Sequence, residues 1–179
     1  MDFSTHFERG LKYSDFLERQ ASPGDLRQWS KFSSETVLTS DQAQNLKSFQ
    51  REMKVLCLAG TWCPDCASQC PVMEKFAQVC PLIDLRFLDR DEFSAHGGSL
   101  TLCGGQRVPT TIFLSEDGYF CGVFGDRSLS RYRNLAGRPL GLPEGMTLHQ
   151  AIIQEWLNEF ERIQLMLETS PRLQNLNRR

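Results

Sequence analysis

Cys63 and Cys66 stand three residues apart in the run Trp62-Cys63-Pro64-Asp65-Cys66. The apolar stretch Val55-Leu56-Cys57-Leu58-Ala59 comes just before it, and a segment of helical pattern follows. Unbroken apolar residues over this length fit a strand buried on both faces. A strand that hands over to a helix so quickly predicts an α/β sheet, and such sheets carry their sites where strands end. The first thiol then lies at a helix N-terminus, where unpaired N–H groups and the helix dipole favour a thiolate. A thiolate attacks disulfides, and a neighbouring thiol can resolve the mixed disulfide. The spacing points to thiol–disulfide exchange, with Cys63 and Cys66 as the reacting pair.

The rest of the chain reads as alternating helix and strand signals. Phe3, Phe7 and Leu11 recur every four residues and predict one amphipathic helix to about Gln20. Ser22-Pro23 reads as an N-cap followed by proline at the first helical position, opening a short helix with Leu26 and Trp29. Thr39 and Gln42 have capping-box spacing, and Ala43, Leu46, Phe49 and Met53 mark the inner face of a third helix. The helix after Cys63 runs to about Val79, with Pro71 as an interior kink. Ile83, Leu85 and Phe87 alternate with polar residues as a strand does, and residues 89–107 read as a long polar loop. Residues 111–114 and 119–124 flank Asp117-Gly118, a strong hairpin signal. Residues 138–145 read as a loop. Thr147 and Gln150 again have capping-box spacing, ahead of a stripe of Trp156, Phe160, Ile163 and Leu167. The tail after Ser170 is expected to fray.

Composition narrows the function classes. A net charge of −2 argues against bulk nucleic-acid binding, and no stretch is apolar enough to span a bilayer. Residues 1–20 alternate charge with aromatics and lack an apolar core, so no secretory signal is expected. Seven cysteines, at 57, 63, 66, 70, 80, 103 and 121, are an odd number. Together these predict a cytoplasmic protein with mostly free thiols, not a disulfide scaffold.

With these elements in place the chain resembles the thioredoxin family, over residues from about 54 to 126. Trp62 precedes the first cysteine, Pro71 falls five residues after Cys66, Val108-Pro109-Thr110 matches the family's cis-proline segment, and Gly125 matches its late glycine. The resemblance implies a thioredoxin-like α/β fold: a central mixed sheet of about four strands flanked by helices, here with extra N-terminal helices. The implied domain plan is an N-terminal helical extension over residues 1–38 packed on the core, a thioredoxin-like domain over 39–170 and a frayed tail over 171–179. It also implies that Trp62, Val108, Pro109, Thr110 and Gly125 meet the substrate. A cis bond before Pro109 would turn the Val108 backbone toward Cys63, ready to pair with an extended peptide.

Four residues are expected to modulate the pair. Pro64 and Asp65 stand where thioredoxins have glycine and proline. Asp65 is expected to point to solvent and to oppose the thiolate weakly. Cys57 occupies the position of the family's buried acid. Its preferred role is inert packing; the sharper alternative is a third redox thiol. Arg107, beside Pro109, either stabilises the thiolate, attracts an acidic substrate or is a solvated loop charge. Cys70, Cys80, Cys103 and Cys121 default to small apolar groups. No bound cofactor or metal is required. The expected partners are a disulfide-bearing protein or small molecule, and a reductase or low-molecular-weight thiol that returns electrons. Two other classes remain open: a non-catalytic redox-sensing or partner-binding module, and a metal or iron–sulfur protein. Structural zinc would need Cys70, His96 and Cys103 to complete its ligands.

Overall fold

Residues 2–176 are described in the computed structural model. Four strands, β1 (Met53–Ala59), β2 (Ile83–Asp89), β3 (Thr110–Ser115) and β4 (Phe120–Gly125), form one sheet in the order β2-β1-β3-β4. β1 runs parallel to β2, with Val55 opposite Leu85 and Cys57 opposite Phe87. It runs antiparallel to β3, with Cys57 opposite Thr111. Every β1 residue except Lys54 is buried, which explains the unbroken apolar run. β3 and β4 form the expected hairpin. Gly118, at φ +87°, closes the turn with its N–H on the Ser115 carbonyl.

Helix α5 (Pro64–Val79) packs on one face of this sheet beside the long helix α8 (Leu148–Glu168). Phe160 of α8 meets Phe76 of α5 and Phe113 of β3 edge-on, with ring centroids 5.3 and 5.1 Å apart. Its stripe of Trp156, Phe160, Ile163 and Leu167 is buried as predicted, and the Thr147–Gln150 capping box is formed. Behind α5 lie α3 (Pro23–Glu35) and α4 (Ser40–Lys47), each opened by a capping box, Ser22 with Asp25 and Thr39 with Gln42. α1 (Phe3–Arg9) and α6 (Arg90–Ala95) cover the other sheet face, where His6 stacks on Phe93 at 4.6 Å.

Several expectations are corrected. The N-terminal helix is two helices, α1 and α2 (Tyr13–Gln20). A Cβ on Gly10 would sit 2.8 Å from the Arg86 Cβ, so the chain passes close against β2 there. Leu11 then exchanges both backbone hydrogen bonds with Phe87, covering the free edge of β2. Met53 belongs to β1, not to the third helix. That helix stops at Lys47 because the buried Gln164 takes over the backbone beyond it. Its carboxamide oxygen accepts from the Gln50 and Arg51 N–H groups and its NH2 donates to the Arg51 carbonyl. The loop after β2 contains α6, N-capped by Asp89, in a stretch too polar to show helical periodicity. The sequence reading places no helix at α7 (Leu129–Leu135), a two-turn helix capped by Ser128 whose Leu129, Tyr132 and Leu135 are exposed. The tail forms α9 (Pro171–Leu176): Leu173 is 1% exposed and its carbonyl accepts from Arg51. Residues 177–179 of the expected frayed tail lie outside the described residues.

The N-terminal helices share the core of the sheet. Phe16 and Trp29 are fully buried, and the Phe16 ring lies 5.7 Å from Phe87 and 6.1 Å from Trp29. Among the described residues, no helix is long and apolar enough to cross a membrane. Gly10→Ala should cost about 1–3 kcal/mol, the usual penalty of overpacking. Chemical denaturation should show a lower midpoint; an unchanged midpoint would mean that the Gly10 passage is not tight.

Candidate active site

Cys63 is the N-cap of α5, and its sulfur accepts the Cys66 N–H at 3.4 Å. Pro64 sits at the first helical position, where its missing N–H costs nothing. Of the two sulfurs, Cys63 lies at the surface side, 7% exposed, and Cys66 is fully buried. The Cys63 thiol also donates to the Val108 carbonyl at 3.6 Å. The Val108–Pro109 bond is cis, and it brings the Val108 backbone to Cys63 as the resemblance implies. The turn before the pair is fixed from outside the sheet: Trp29 Nε1 donates to the Thr61 carbonyl at 2.9 Å. Trp62 is 55% exposed, with the Arg90 guanidinium over its ring at 4.9 Å.

The two thiols ionise as a pair. The neighbouring Cys66 thiol first, then burial, raises Cys63. Burial pushes Cys66 up, but hydrogen bonds from Cys63, Cys70 and the Gly60 backbone outweigh it and bring Cys66 down. The first proton therefore leaves the pair below the ordinary thiol range and the second above it.

Asp65 does not point to solvent. It is buried, and its two oxygens accept from Arg127 Nε at 2.6 Å and Arg131 Nε at 2.7 Å. Each guanidinium is about a quarter exposed. Neither arginine was expected, because nothing local links Asp65 to residues 62 and 66 positions away. Their spacing of four on one helix start, soon after Gly125, is the only signal they leave. Next to them Asp126 accepts from Arg127, from Arg107 and, in a very short contact, from the Tyr132 hydroxyl. Arg107 is thus paired with Asp126 and is not a free loop charge. Gln69, fully buried, knots the region together. Its NH2 donates to the Asp65 and Asp126 carbonyls, and its oxygen accepts from Trp156 Nε1 and the Ser128 N–H.

The remaining expected residues fall nearby. Thr110 is buried and donates to the Arg107 carbonyl, so its side chain holds the loop in place and does not face outward. Gly125 has φ +149°, and a Cβ there would lie 2.6 Å from the Pro109 carbonyl oxygen, so only glycine lets the two segments meet. The Gly125–Asp126 bond is also cis. Cys57, on β1 beneath α5, lies 3.8 Å sulfur to sulfur from Cys70. Among the described residues, no group of three or more His, Cys, Asp or Glu side chains is placed to hold a metal ion.

The comparisons agree with this architecture. A family model described as thioredoxin matches residues 10–132, and the chain belongs to the thioredoxin family. Among solved structures it is similar to PA1234 from Pseudomonas aeruginosa, a protein of unknown function. That match has a TM-score of 0.69 at 15% identity and covers 91% of this chain and 96% of the other. An HIV epitope-scaffold matches with a TM-score of 0.70 at 15% identity, over 91% and 97%. Mitochondrial thioredoxin 3 from Saccharomyces cerevisiae, in its oxidized form, matches at 23% identity with a TM-score of 0.34, over 52% and 86%. No curated protein matches the chain.

Two measurements probe the charge balance. The thiolate absorbance of the pair should rise with a first midpoint below the ordinary thiol value of about 8.5, because Cys66 is brought down. A first midpoint at or above that value would contradict the lowered ionisation. Asp65→Asn removes a carboxylate that repels the Cys66 thiolate and should lower the midpoint further. It also frees two guanidinium groups, at a cost between the about 1 kcal/mol of an exposed pair and the about 3–5 kcal/mol of a buried one. Thiolate absorbance against pH, together with denaturation, reads both effects; a raised midpoint would refute the repulsion.

Proposed function

We propose that the protein is a thiol–disulfide oxidoreductase working through Cys63 and Cys66. The observation that carries this reading is the Cys63 sulfur: it caps α5, is the outer member of the pair and touches the Val108 carbonyl. Cys63 attacks as the thiolate because it is the sulfur a substrate can reach. With the remaining proton on Cys66, Cys63 carries the charge at the helix start, where its sulfur accepts the Cys66 N–H. The attack forms a mixed disulfide and expels one substrate thiolate. Cys66 then attacks Cys63, releasing the second thiolate and leaving a Cys63–Cys66 disulfide.

The same surface suits a protein disulfide. An extended substrate strand can pair with the Val108 backbone, beside the exposed indole of Trp62. The charges around the site are largely paired, Arg107 and Arg127 with Asp126, and Arg127 and Arg131 with Asp65. Electrons return from a reductase or a small thiol, and the chemistry needs no bound cofactor. A reducing, cytoplasmic setting fits a chain with seven thiols, all unpaired in this structure.

Turnover of a model disulfide with a recycling reductant tests the reading. The wild-type chain should turn over, and Cys63→Ser should fall to the uncatalysed rate. Cys66→Ser should attack once and stall, accumulating a mixed disulfide at Cys63 visible by mass. A wild-type protein that binds disulfide partners without turnover would instead be a redox-sensing or docking module. Alkylation of Cys66 ahead of Cys63 at neutral pH would reverse the two roles.

A further inference from the structure

Two thiols beneath the proposed reacting pair have no part in the cycle above. Cys57 and Cys70 are both fully buried, on β1 and on the α5 turn that follows Cys66. Their sulfurs are 3.8 Å apart, in van der Waals contact. Cys70 stands one helical turn beyond Cys66 on α5, and the Cys66 N–H holds the Cys63 sulfur at the start of the same helix. The four cysteines thus follow one another from the helix start inward to the sheet: Cys63, Cys66, Cys70, Cys57. A buried thiol packed as an inert apolar group needs no second thiol against it, and here two meet directly behind a third.

The helix is loosened at the required place. Pro71 has no N–H, so the Ala67 carbonyl lacks its partner four residues on. That gap falls in the turn joining Cys66 to Cys70. A transient bond between these two sulfurs needs that turn to yield, since side chains four apart on an ideal helix stand too far apart for a disulfide.

We propose that Cys57 and Cys70 form a second redox couple, charged from the Cys63–Cys66 disulfide by internal exchange. The proposal rests on the oxidoreductase reading, which supplies that disulfide. In the first step the Cys70 sulfur attacks Cys66. The Cys66–Cys70 bond forms, the Cys63–Cys66 bond breaks, and Cys63 leaves as a thiolate that takes up the Cys70 proton. In the second step Cys57 attacks Cys70. The Cys57–Cys70 bond forms, the Cys66–Cys70 bond breaks, and Cys66 takes up the Cys57 proton. No electrons are gained or lost overall. One disulfide moves inward, and the outer dithiol is restored, ready for another substrate. Burial keeps Cys70 protonated, so the inward transfer lags behind closure of the outer pair. Reduction runs the same steps backward once Cys63 and Cys66 are both free thiols.

The test uses fully reduced protein and an excess of 2-hydroxyethyl disulfide, quenched in acid at intervals. All four sulfurs lie between Lys54 and Lys75, in one tryptic peptide, so a second cleavage after Trp62 and fragmentation assign the pairs. The Cys63–Cys66 disulfide should appear first and the Cys57–Cys70 disulfide second. With Cys103 and Cys121 reacting alike in both, the wild-type chain should consume one molecule of reagent more than Cys57→Ala. In Cys63→Ser the inner bond should form about tenfold more slowly or less, because the reagent cannot reach buried sulfurs directly. Free Cys57 and Cys70 after the outer pair has closed in excess reagent would overturn the proposal and leave the oxidoreductase reading standing. Equal rates of inner closure in wild type and Cys63→Ser would overturn the route. Failure of the outer pair to close would sink both readings.

Discussion

The double burial of β1 is the constraint on which the other parts depend. Its two ladders, to β2 and β3, satisfy its backbone on both sides, while its side chains meet helices on both faces. Leu56 faces the Gly10 passage beside α1, and Cys57 faces α5. A strand so enclosed cannot shift register without exposing an apolar face. The turn at its carboxyl end is therefore placed to within the tolerance of the core, and Cys63 is only four residues past Ala59. The fold converts hydrophobic burial at β1 into a fixed location for a nucleophile at a helix start.

Around that point the charged groups are used for position more than for potential. Asp65, Asp126, Arg107, Arg127 and Arg131 hold one another, with Gln69 and Tyr132 filling the hydrogen bonds that remain. This ties α5, the segment after β4 and α7 into one block around the dithiol. Such a block resists opening because loss of any one member strands charge or a buried polar group. The acid that the family places under its second cysteine is absent here. A thiol, Cys57, stands there instead, in contact with Cys70.

Much of the architecture was legible because it is written in local chemistry. Capping boxes at Thr39 and Thr147, alternation at Ile83, Leu85 and Phe87, the Asp117-Gly118 turn and the proline at 109 each act within a few residues. The errors share the opposite character. The break at Gly10 exists because Arg86 is close, and Leu11 is extended because Phe87 has a free edge. The helix ending at Lys47 is stopped by Gln164, more than a hundred residues on. α6 is too polar and α7 too short for periodicity to reveal, and Asp65 was misplaced because its partners lie on another element. At the site, the two cysteines were legible in the spacing, and the cis bond before Pro109 only through the family resemblance. The arginines and Gln69 were not, since their meaning comes only from what the fold brings beside them.

Trp29 connects the first third of the chain to the turn that carries the dithiol. Its indole N–H holds the Thr61 carbonyl, and the Thr61 hydroxyl in turn holds the Gln20 carbonyl. The turn at residues 60–62 is therefore fastened to α2 and α3 as well as to its own strand. Loops that carry reactive groups are commonly drawn from the least stable parts of a fold and open by themselves. This one cannot open without detaching helices that share the main core. Its backbone amides should then exchange with solvent on the timescale of whole-molecule unfolding, so the outer thiol meets its substrates on a rigid ledge and not on a mobile arm.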